Sequence, residues 1–278
     1  MPPLVMGILN VTPDSFSDGG RFVDHDDAVA HGLRLVAEGA DLVDVGGEST
    51  RPGALPVDPA TELDRVVPVV AALAAHVRVS IDTAKPEVAD AAVAAGATVI
   101  NDVTASLHDV AARHGVGWVA MHMQGEPRTM QASPAYGDVV AEVRAHLLAR
   151  AEDARAAGVA EVWIDPGIGF GKTHEHNWAL LRSLPDLCAA GVPVAIGTSR
   201  KAFLGAALAA ADGTEAPAPV EQRLEGSVAT AVRAAAAGAA MIRVHDVAAT
   251  VAALGAAGST TRPRAPAAPD GREADRWP

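Results

Sequence analysis

VRVSIDTAKPEVADAAVAAGATVIND, residues 77–102, contains two short apolar runs that flank an alanine-rich stretch with helical spacing. Pro86 stands where the helical stretch begins, a position that tolerates proline, and Gly96 stands where it ends. The first run ends on Asp82 and the second closes with Asn101 and its neighbour. Runs rich in β-branched residues are typical of strands buried on both faces of a parallel sheet. The segment is therefore predicted to be a strand, a helix and a second, parallel strand.

The same alternation of apolar run and helical stretch recurs along most of the chain. The predicted strands are residues 3–9, 41–46, 77–82, 98–102, 117–122, 161–166, 192–197 and 240–245. Alternating strands and helices form either a (β/α)8 barrel or a doubly wound open sheet. About eight strand–helix units within about 255 residues match the usual size of the barrel. We therefore predict an α/β protein with a (β/α)8 (TIM) barrel over residues 1–257.

The last part of the chain has a different composition. Residues 258–278, GSTTRPRAPAAPDGREADRWP, are rich in proline, charged residues and small residues, with almost nothing to bury. A segment of this composition does not gain enough from apolar burial to offset the entropy lost on ordering. We predict that these residues form a disordered C-terminal tail.

The composition of the 278-residue chain argues against several classes of protein. Its net charge of −12 argues against a nucleic-acid surface, which needs a basic field. One cysteine excludes an internal disulfide and a metal site built from several cysteines. No apolar run approaches the roughly 18 residues of a membrane span, and the N-terminus lacks the basic segment of a signal peptide. We expect a cytoplasmic protein that binds neither nucleic acid nor membrane.

Polar side chains stand at the carboxyl end of every predicted strand. In a barrel these ends share one rim, where catalytic and ligand-binding residues lie. Loops after strands are polar in many proteins, so one such position proves little, but a set repeated at every strand end indicates a site. The residues at these ends include Asn10, Glu48, Thr50, Arg51, Asp82, Asn101, Asp102, His122, Gln124, Asp165, Thr198, Ser199, Arg200, Lys201, Arg243 and His245.

Two chemical sets stand out among these side chains. The set that can bind a diphosphate or a longer polyphosphate consists of Asn10, Arg51, Arg243 and His245. The set that can match the donors and acceptors of a fused heterocycle, such as a pterin or purine edge, consists of Asp82, Asn101, Asp165 and Lys201. A heterocycle site beside an anion site indicates an enzyme that breaks a bond between the two parts of its substrate.

Two other motifs resemble ligand-binding or metal-binding sites but have a simpler structural explanation. DPGIGFGKT, residues 165–173, is similar to a phosphate-binding P-loop, but the first glycine of that motif would fall on Pro166. A tight turn that lets a ligand approach the backbone is the better interpretation. The histidines and glutamate at positions 174–176 could be metal ligands, yet without a companion cysteine they fit the exposed first turn of a helix better.

The motifs of the chain closely resemble those of the dihydropteroate synthase family, (β/α)8 barrels of the pterin-binding group. They are MGILNVTPDSFSDGG, DVGGESTRPGA, SIDTAKPEVA, INDV, MHMQGEPRTMQ, DPGIGFGKT, GTSRKAFLG and IRVHDV, in the order of the family. The resemblance implies a transferase of folate biosynthesis. Its reaction condenses 6-hydroxymethyl-7,8-dihydropterin diphosphate with p-aminobenzoate to 7,8-dihydropteroate and diphosphate. The resemblance also implies a homodimer and competition between sulfonamides and p-aminobenzoate.

The resemblance assigns roles to residues at matching positions. It implies that the pterin is bound by Asp82, Asn101, Met123, Asp165 and Lys201. The diphosphate would be bound by Asn10, Arg51, Arg243 and His245, with Asn10 also a ligand of Mg²⁺, the implied cofactor. The p-aminobenzoate would be surrounded by Phe16, Thr50, Arg51, Pro52, Phe170, Ser199 and Lys201. The residues expected to take part in catalysis are Asp82, Asp165, Lys201, Arg243 and His245.

The implied substrates favour a dissociative, SN1-like reaction. Arg51, Arg243 and His245 would stabilise the departing diphosphate together with Mg²⁺. Asp82 and Asp165 would supply negative charge to the cationic pterin. Water must be kept from this cation, so loops that close over the site are expected.

Phe16 is an apolar residue in the otherwise polar first loop of the chain, residues 12–20. A side chain of this kind would not normally be left in a solvated loop. The hypothesis is that Phe16 is buried only when the loop closes over the aminobenzoate ring.

Two other functions share part of this pattern. A methyltransferase-type domain that binds methyltetrahydrofolate would share the pterin-edge residues. Such a domain has no use for ESTRPGA, residues 48–54, or SRKAFLG, residues 199–205, and both are present. A synthase-like paralogue without the activity would keep the whole barrel, and one sequence does not distinguish it from an active enzyme.

Overall fold

A computed structural model describes residues 2–12, 24–50 and 53–259, and within them strands and helices alternate as predicted. The strands are β1 Leu4–Asn10, β2 Leu42–Gly46, β3 Arg78–Asp82, β4 Val99–Asp102, β5 Gly117–Met121, β6 Val162–Asp165, β7 Ala195–Ile196 and β8 Met241–Val244. The α-helices are α1 His25–Ala37, α2 Pro59–Leu73, α3 Pro86–Ala94, α4 His108–His114, α5 Val139–Ala156, α6 His174–Arg182, α7 Leu184–Cys188, α8 Ala202–Asp212, α9 Leu224–Ala236 and α10 Val247–Ala256.

The strands form one parallel sheet that closes on itself. Their order in the sheet is β6-β5-β4-β3-β2-β1-β8-β7, and a parallel bridge between Ile164 and Val194 joins its two ends. The strand predicted at residues 192–197 is shorter in the structure, where β7 is Ala195–Ile196 and Val194 forms only an isolated bridge. The prediction of a (β/α)8 barrel is confirmed, and the doubly wound open sheet is wrong.

The segment from residue 77 to residue 102 forms the predicted strand–helix–strand unit. Helix α3 begins at Pro86, and Gly96 follows its C-terminal end with a φ of +115°. The Gly96 N–H donates to the Val93 carbonyl at 3.0 Å, and the Ala97 N–H donates to the Ala92 carbonyl at 2.9 Å. These bonds satisfy the last carbonyls of the helix before the chain enters β4.

Two apolar layers lie on the two faces of the sheet. The outer layer packs strand residues such as Ile81 and Ile164 against the helices. The inner layer is a compact cluster inside the barrel, formed by Met6, Leu42, Val99, Val119, Trp163, Ala195 and Met241. Two residues further along a strand, a side chain points to the same face but lies nearer the carboxyl end. The residues two positions beyond inner-layer members include Asp44, Asn101, Asp165 and Arg243. The inner cluster is thus an apolar floor beneath a polar layer.

Two further predictions concern the whole chain. In the part of the chain that the structure describes, no helix is both long enough and apolar enough to cross a membrane. Most of the predicted tail, residues 260–278, lies outside the described residues, so its disorder stays a prediction.

Gly96 and Gly158 offer a matched test of how helices pack around the barrel. Both follow a helix C-terminus with a positive φ, +115° for Gly96 and +98° for Gly158. A Cβ at Gly96 would lie 2.6 Å from the Ala74 Cβ, whereas a Cβ at Gly158 would meet no atom within 4 Å. Gly158→Ala should cost about 1–2 kcal/mol of unfolding free energy, from backbone strain alone. Gly96→Ala should cost at least about 1 kcal/mol more, because α3 must move away from α2.

Urea denaturation of the two variants and the wild type measures this difference. Equal losses of unfolding free energy in Gly96→Ala and Gly158→Ala would show that the contact with Ala74 imposes no constraint on the position of α3.

Candidate active site

The structure brings the described members of the predicted site to one rim of the barrel. Asn10, Asp82 and Asp165 are the last residues of β1, β3 and β6. Asn101 and Arg243 lie one residue before the ends of β4 and β8. The other described members lie in the segments that follow strands, and they are Thr50, Met123, Phe170, Ser199, Lys201 and His245. TIM-barrel enzymes have their active sites at this end.

Arg243 joins residues of three strands across the inside of the barrel. Its Nε donates to Asp44 Oδ2 at 2.6 Å, and its Nη2 donates to Asp82 Oδ2 at 2.7 Å. The Asn101 Nδ2 donates to the same Asp44 oxygen at 2.9 Å. Strand β1 lies between β8 and β2 in the sheet, so the contact between Arg243 and Asp44 crosses the interior. The anion set and the heterocycle set of the sequence are therefore connected through one guanidinium.

Asp44 is a central member of this network that sequence reasoning missed. Its side chain is fully buried and accepts hydrogen bonds from both Arg243 and Asn101. The signal was present, because a carboxylate in the middle of the apolar run DLVDVG, residues 41–46, needs a buried partner. Asp44 lies two residues before the end of β2, so it is not among the polar residues at the strand ends.

Burial is the largest influence on the pKa of Asp82. It raises the pKa of Asp82 to about 7, Arg243 opposes the rise, and the Asp44 carboxylate adds to it. Burial also lowers the pKa of Arg243, but the two carboxylates outweigh it and raise that pKa overall, so the guanidinium stays charged. Asp82 Oδ1 is buried without a hydrogen-bond partner among the described residues. A buried acceptor at the mouth of the barrel is suited to an N–H donor of a ligand.

Asp165, Lys201 and Phe170 form a second group at the mouth, at the end of β6 and in the segments that follow β6 and β7. Asp165 Oδ1 accepts the Gly167 N–H at 2.7 Å. Lys201 Nζ donates to the Ile168 carbonyl and lies 4.9 Å from the centre of the Phe170 ring. Burial raises the pKa of Asp165 and lowers the pKa of Lys201 to about 8, and each of the two charges opposes the shift of the other. Phe170 and Lys201, which the resemblance places together around p-aminobenzoate, are in contact, and their roles stay predictions.

Ser199 and His245 are also brought together. The His245 Nδ1 lies 3.0 Å from Ser199 Oγ, and the His245 N–H donates to the same oxygen at 3.2 Å. Arg200, between Ser199 and Lys201, has a φ of +60° and bonds the Asp246 carboxylate through both Nε and Nη2. The β7–α8 loop is thus tied to the segment after β8. The ion pair of Arg200 with Asp246 was not predicted from the sequence.

A buried charge cluster supports the loop that carries Thr50. Lys85 Nζ donates to Glu48 at 2.5 Å and to Glu62, whose side chain is fully buried. Glu48 also accepts the Val57 N–H at 2.9 Å, which holds the two ends of the β2–α2 loop together. Sequence reasoning placed Glu48 at a strand end but gave no role to Lys85 or Glu62.

Some predicted residues lie outside the described residues. These are Phe16, Arg51 and Pro52, and their roles stay predictions, as does the closure of the first loop. In the described ranges, no three His, Cys, Asp or Glu side chains are grouped so that they could hold a metal ion. The residues at 174–176 form the first turn of α6, as predicted, and the His176 ring takes part in a capping box with Thr173.

Comparison with known proteins identifies the family. The model of the pterin binding enzyme family matches residues 6–245. The chain is 54% identical to a dihydropteroate synthase of Mycobacterium leprae, over 93% of both chains. It also superposes on a Xanthomonas albilineans dihydropteroate synthase solved with 4-aminobenzoic acid, with a TM-score of 0.82, 51% identity and 92% of each chain covered. A second structure of the same enzyme, in complex with 7,8-dihydropteroate, gives a TM-score of 0.79 and 49% identity, with 92% of each chain covered. The chain belongs to the pterin binding enzyme family, among its dihydropteroate synthases.

Proposed function

We propose that the mouth of this barrel joins a pterin diphosphate to p-aminobenzoate. As a transferase of the dihydropteroate synthase family, the chain condenses 6-hydroxymethyl-7,8-dihydropterin diphosphate with p-aminobenzoate to 7,8-dihydropteroate and diphosphate. The observation that carries the proposal is the network in which Arg243 links Asp44 and Asp82. This arrangement offers carboxylate acceptors to a heterocycle beside a cation for an anionic leaving group. The Xanthomonas albilineans complexes with 4-aminobenzoic acid and 7,8-dihydropteroate support the same ligands here.

The pterin is proposed to lie against the buried polar layer. Asp82 and Asp165 would accept hydrogen bonds from ring N–H groups. Among the described residues Asp82 Oδ1 has no hydrogen-bond partner, so it is available as an acceptor. Asn101 and Lys201 would complete the match of donors and acceptors, with Met123 against the ring. The two carboxylates lie above an apolar floor, where electrostatic interactions are stronger than in water. They would therefore stabilise a positive charge that develops on the pterin methylene.

The leaving diphosphate is proposed to be bound by Arg243 and His245. The bond between the methylene carbon and the diphosphate oxygen would break first, in a dissociative, SN1-like step. The amine of p-aminobenzoate would then attack the methylene carbon and lose one proton. Arg243 stays charged because of Asp44 and Asp82, so it can hold the developing negative charge. Arg51 is expected to join these cations.

The p-aminobenzoate is proposed to lie between the β6–α6 loop and the N-terminus of α8. Phe170 would offer an apolar wall and Lys201 a cation, and the two side chains already contact each other. Thr50 and Ser199 would complete the described part of this site. Phe16, Arg51 and Pro52 are expected to contribute the rest.

Mg²⁺ is proposed to bind at Asn10 together with the diphosphate. The Asn10 side chain is half-buried at the end of β1, and its carbonyl oxygen is a hard ligand of the kind that Mg²⁺ prefers. Mg²⁺ is commonly held by one or two protein oxygens and by substrate phosphates. When bound, it would neutralise part of the diphosphate charge. The homodimer, the cytoplasmic location and the sensitivity to sulfonamides stay predictions from the resemblance.

A direct assay with an arginine variant tests both the activity and the role of Arg243. The wild type, with Mg²⁺ and the two substrates, should form dihydropteroate and release diphosphate. Arg243→Met should lower kcat/KM by at least about 100-fold, because the leaving group loses a cation and two buried carboxylates lose their counter-ion. Arg155→Met is the matched control, since Arg155 donates from the exposed side of α5 to the Gly191 carbonyl. The control should keep its activity.

The outcomes separate the alternatives. A folded wild type that forms no product would favour the inactive paralogue, or the domain that binds methyltetrahydrofolate if it binds that ligand. Circular dichroism establishes that each variant is folded. Unchanged turnover in Arg243→Met would overturn the assignment of the leaving-group site.

Acidification is expected to weaken the binding of a pterin without phosphate groups. Burial raises the pKa of Asp82 to about 7, so its side chain is charged above that pH and neutral below it. A neutral carboxyl group is a weaker acceptor for ring N–H groups than a carboxylate. The dissociation constant of 6-hydroxymethylpterin should therefore rise by up to about tenfold per pH unit below 7.

Titration calorimetry between about pH 6 and pH 8.5 measures this constant, and the choice of ligand removes the titration of the diphosphate itself. Asp82→Asn should bind more weakly at high pH and lose most of the pH dependence. A wild-type dissociation constant that is constant over this range would show that Asp82 does not titrate there or does not contact the pterin.

A further inference from the structure

Lys172 is a buried ammonium that the proposed reaction does not use. Its side chain is 2% exposed. Its Nζ lies 3.0 Å from His122 Nδ1, 3.2 Å from the His122 carbonyl and 3.0 Å from the Phe170 carbonyl. An ammonium has three N–H donors, and these three acceptors can take all of them. Lys172 therefore has no donor left for a phosphate, although it follows the glycines of DPGIGFGKT.

The acceptors of Lys172 belong to two loops that are in backbone contact. His122 follows β5, and Phe170 lies in the β6–α6 loop, residues 166–173. A Cβ at Gly167 would lie 1.9 Å from the His122 carbonyl oxygen, and a Cβ at Gly171 would lie 2.2 Å from the Gln124 carbonyl oxygen. Only glycine permits this approach, and both residues also have positive φ. Lys172 holds the two loops together between these contacts.

Protonation of the two partners is consistent with this clamp. Burial and the charge of Lys172 lower the pKa of His122 to about 3, so the imidazole is neutral and its Nδ1 can accept a hydrogen bond. Burial lowers the pKa of Lys172 to about 7, Asp165 opposes that change and Lys201 adds to it, so the ammonium with three donors predominates below that pH. His146 packs edge-on against His122 at 5.0 Å between ring centres, which fixes the orientation of the imidazole.

The β6–α6 loop carries three contacts of the site. The Gly167 N–H bonds Asp165, the Ile168 carbonyl bonds Lys201, and the Phe170 ring contacts Lys201. Asp82 and Arg243 are held by a network that does not include Lys172. Movement of this loop should therefore affect Phe170, Lys201 and Asp165 more than Arg243 and Asp82.

We infer that Lys172 is a positioning residue for p-aminobenzoate, because it locks the β6–α6 loop and so fixes Phe170 and the head group of Lys201. The inference rests on the proposed function, in which these two residues surround that substrate. Lys172 acts through the loop and does not touch the substrate itself. Tyr136 supports the same loop less strongly, since its hydroxyl donates to the Gly171 carbonyl at 2.9 Å.

Steady-state kinetics of Lys172→Met tests the inference. The methionine keeps most of the length and volume of the side chain but removes its donors. We expect the KM for p-aminobenzoate to rise at least about fivefold, because the loop loses the buried hydrogen bonds that join Phe170 to His122. The KM for the pterin diphosphate should rise by less, because the pterin is also bound by Asp82 and Asn101, which Lys172 does not hold, and kcat should fall by less than the KM for p-aminobenzoate rises. A purely structural role would instead reduce the active fraction and lower kcat at constant KM.

Two further variants provide a control for destabilisation and a second test of the loop contact. Leu187→Ala removes buried volume from α7 and controls for general destabilisation, so its KM for p-aminobenzoate should be unchanged. Tyr136→Phe removes one hydroxyl from the same loop contact and should raise that KM by about twofold to threefold. If Lys172→Met does not fold, the KM of Tyr136→Phe for p-aminobenzoate becomes the test of the inference.

The inference is overturned if folded Lys172→Met keeps its KM for p-aminobenzoate within twofold of wild type, or if Leu187→Ala changes that KM as much. An unchanged KM in Tyr136→Phe overturns it where Lys172→Met is unfolded. A wild type that forms no dihydropteroate would refute the proposed function, and this is seen before any variant is compared.

Discussion

The ion pairs of Arg243 with Asp44 and Asp82 constrain the inside of the barrel. Asp44 is fully buried, and loss of one partner from such a pair leaves a charge in a low dielectric, at a cost of about 3–5 kcal/mol. The carboxylates stand on β2 and β3 and the guanidinium stands on β8. Only β1 separates β8 from β2 in the sheet, so these ion pairs form on the inner face, where curvature of the sheet brings the three side chains together.

The apolar floor beneath this network determines how strongly its charges interact. The inner cluster around Met6 and Trp163 fills the barrel below the polar layer. Burial above it raises the pKa of Asp82 and Asp165 and lowers the pKa of Lys201, while opposite charges within the site counteract each shift.

The loops at the rim complete the substrate site above this interior. Strand ends alone bring Asp82, Asp165 and Arg243 together, but Phe170 and Lys201 depend on how the β6–α6 loop is held. That loop packs directly on the segment after β5, with Gly167 at the closest approach. The buried Lys172 joins the two segments at the same place. The rigid barrel and this fixed loop thus contribute different parts of one site.

The sequence by itself determined the alternating units, the strands to within a few residues and the polar positions at the strand ends. These are local properties, since apolar runs, helix starts such as Pro86 and stops such as Gly96 act over a few residues. Only the tertiary structure decided that Asp44 faces inward and meets Arg243, 199 residues further along the chain. Barrel strands are apolar on both faces, so their sequence does not reveal which face a side chain occupies. Lys172 was likewise beyond the sequence, because its partners are carbonyls and an imidazole brought near only by folding.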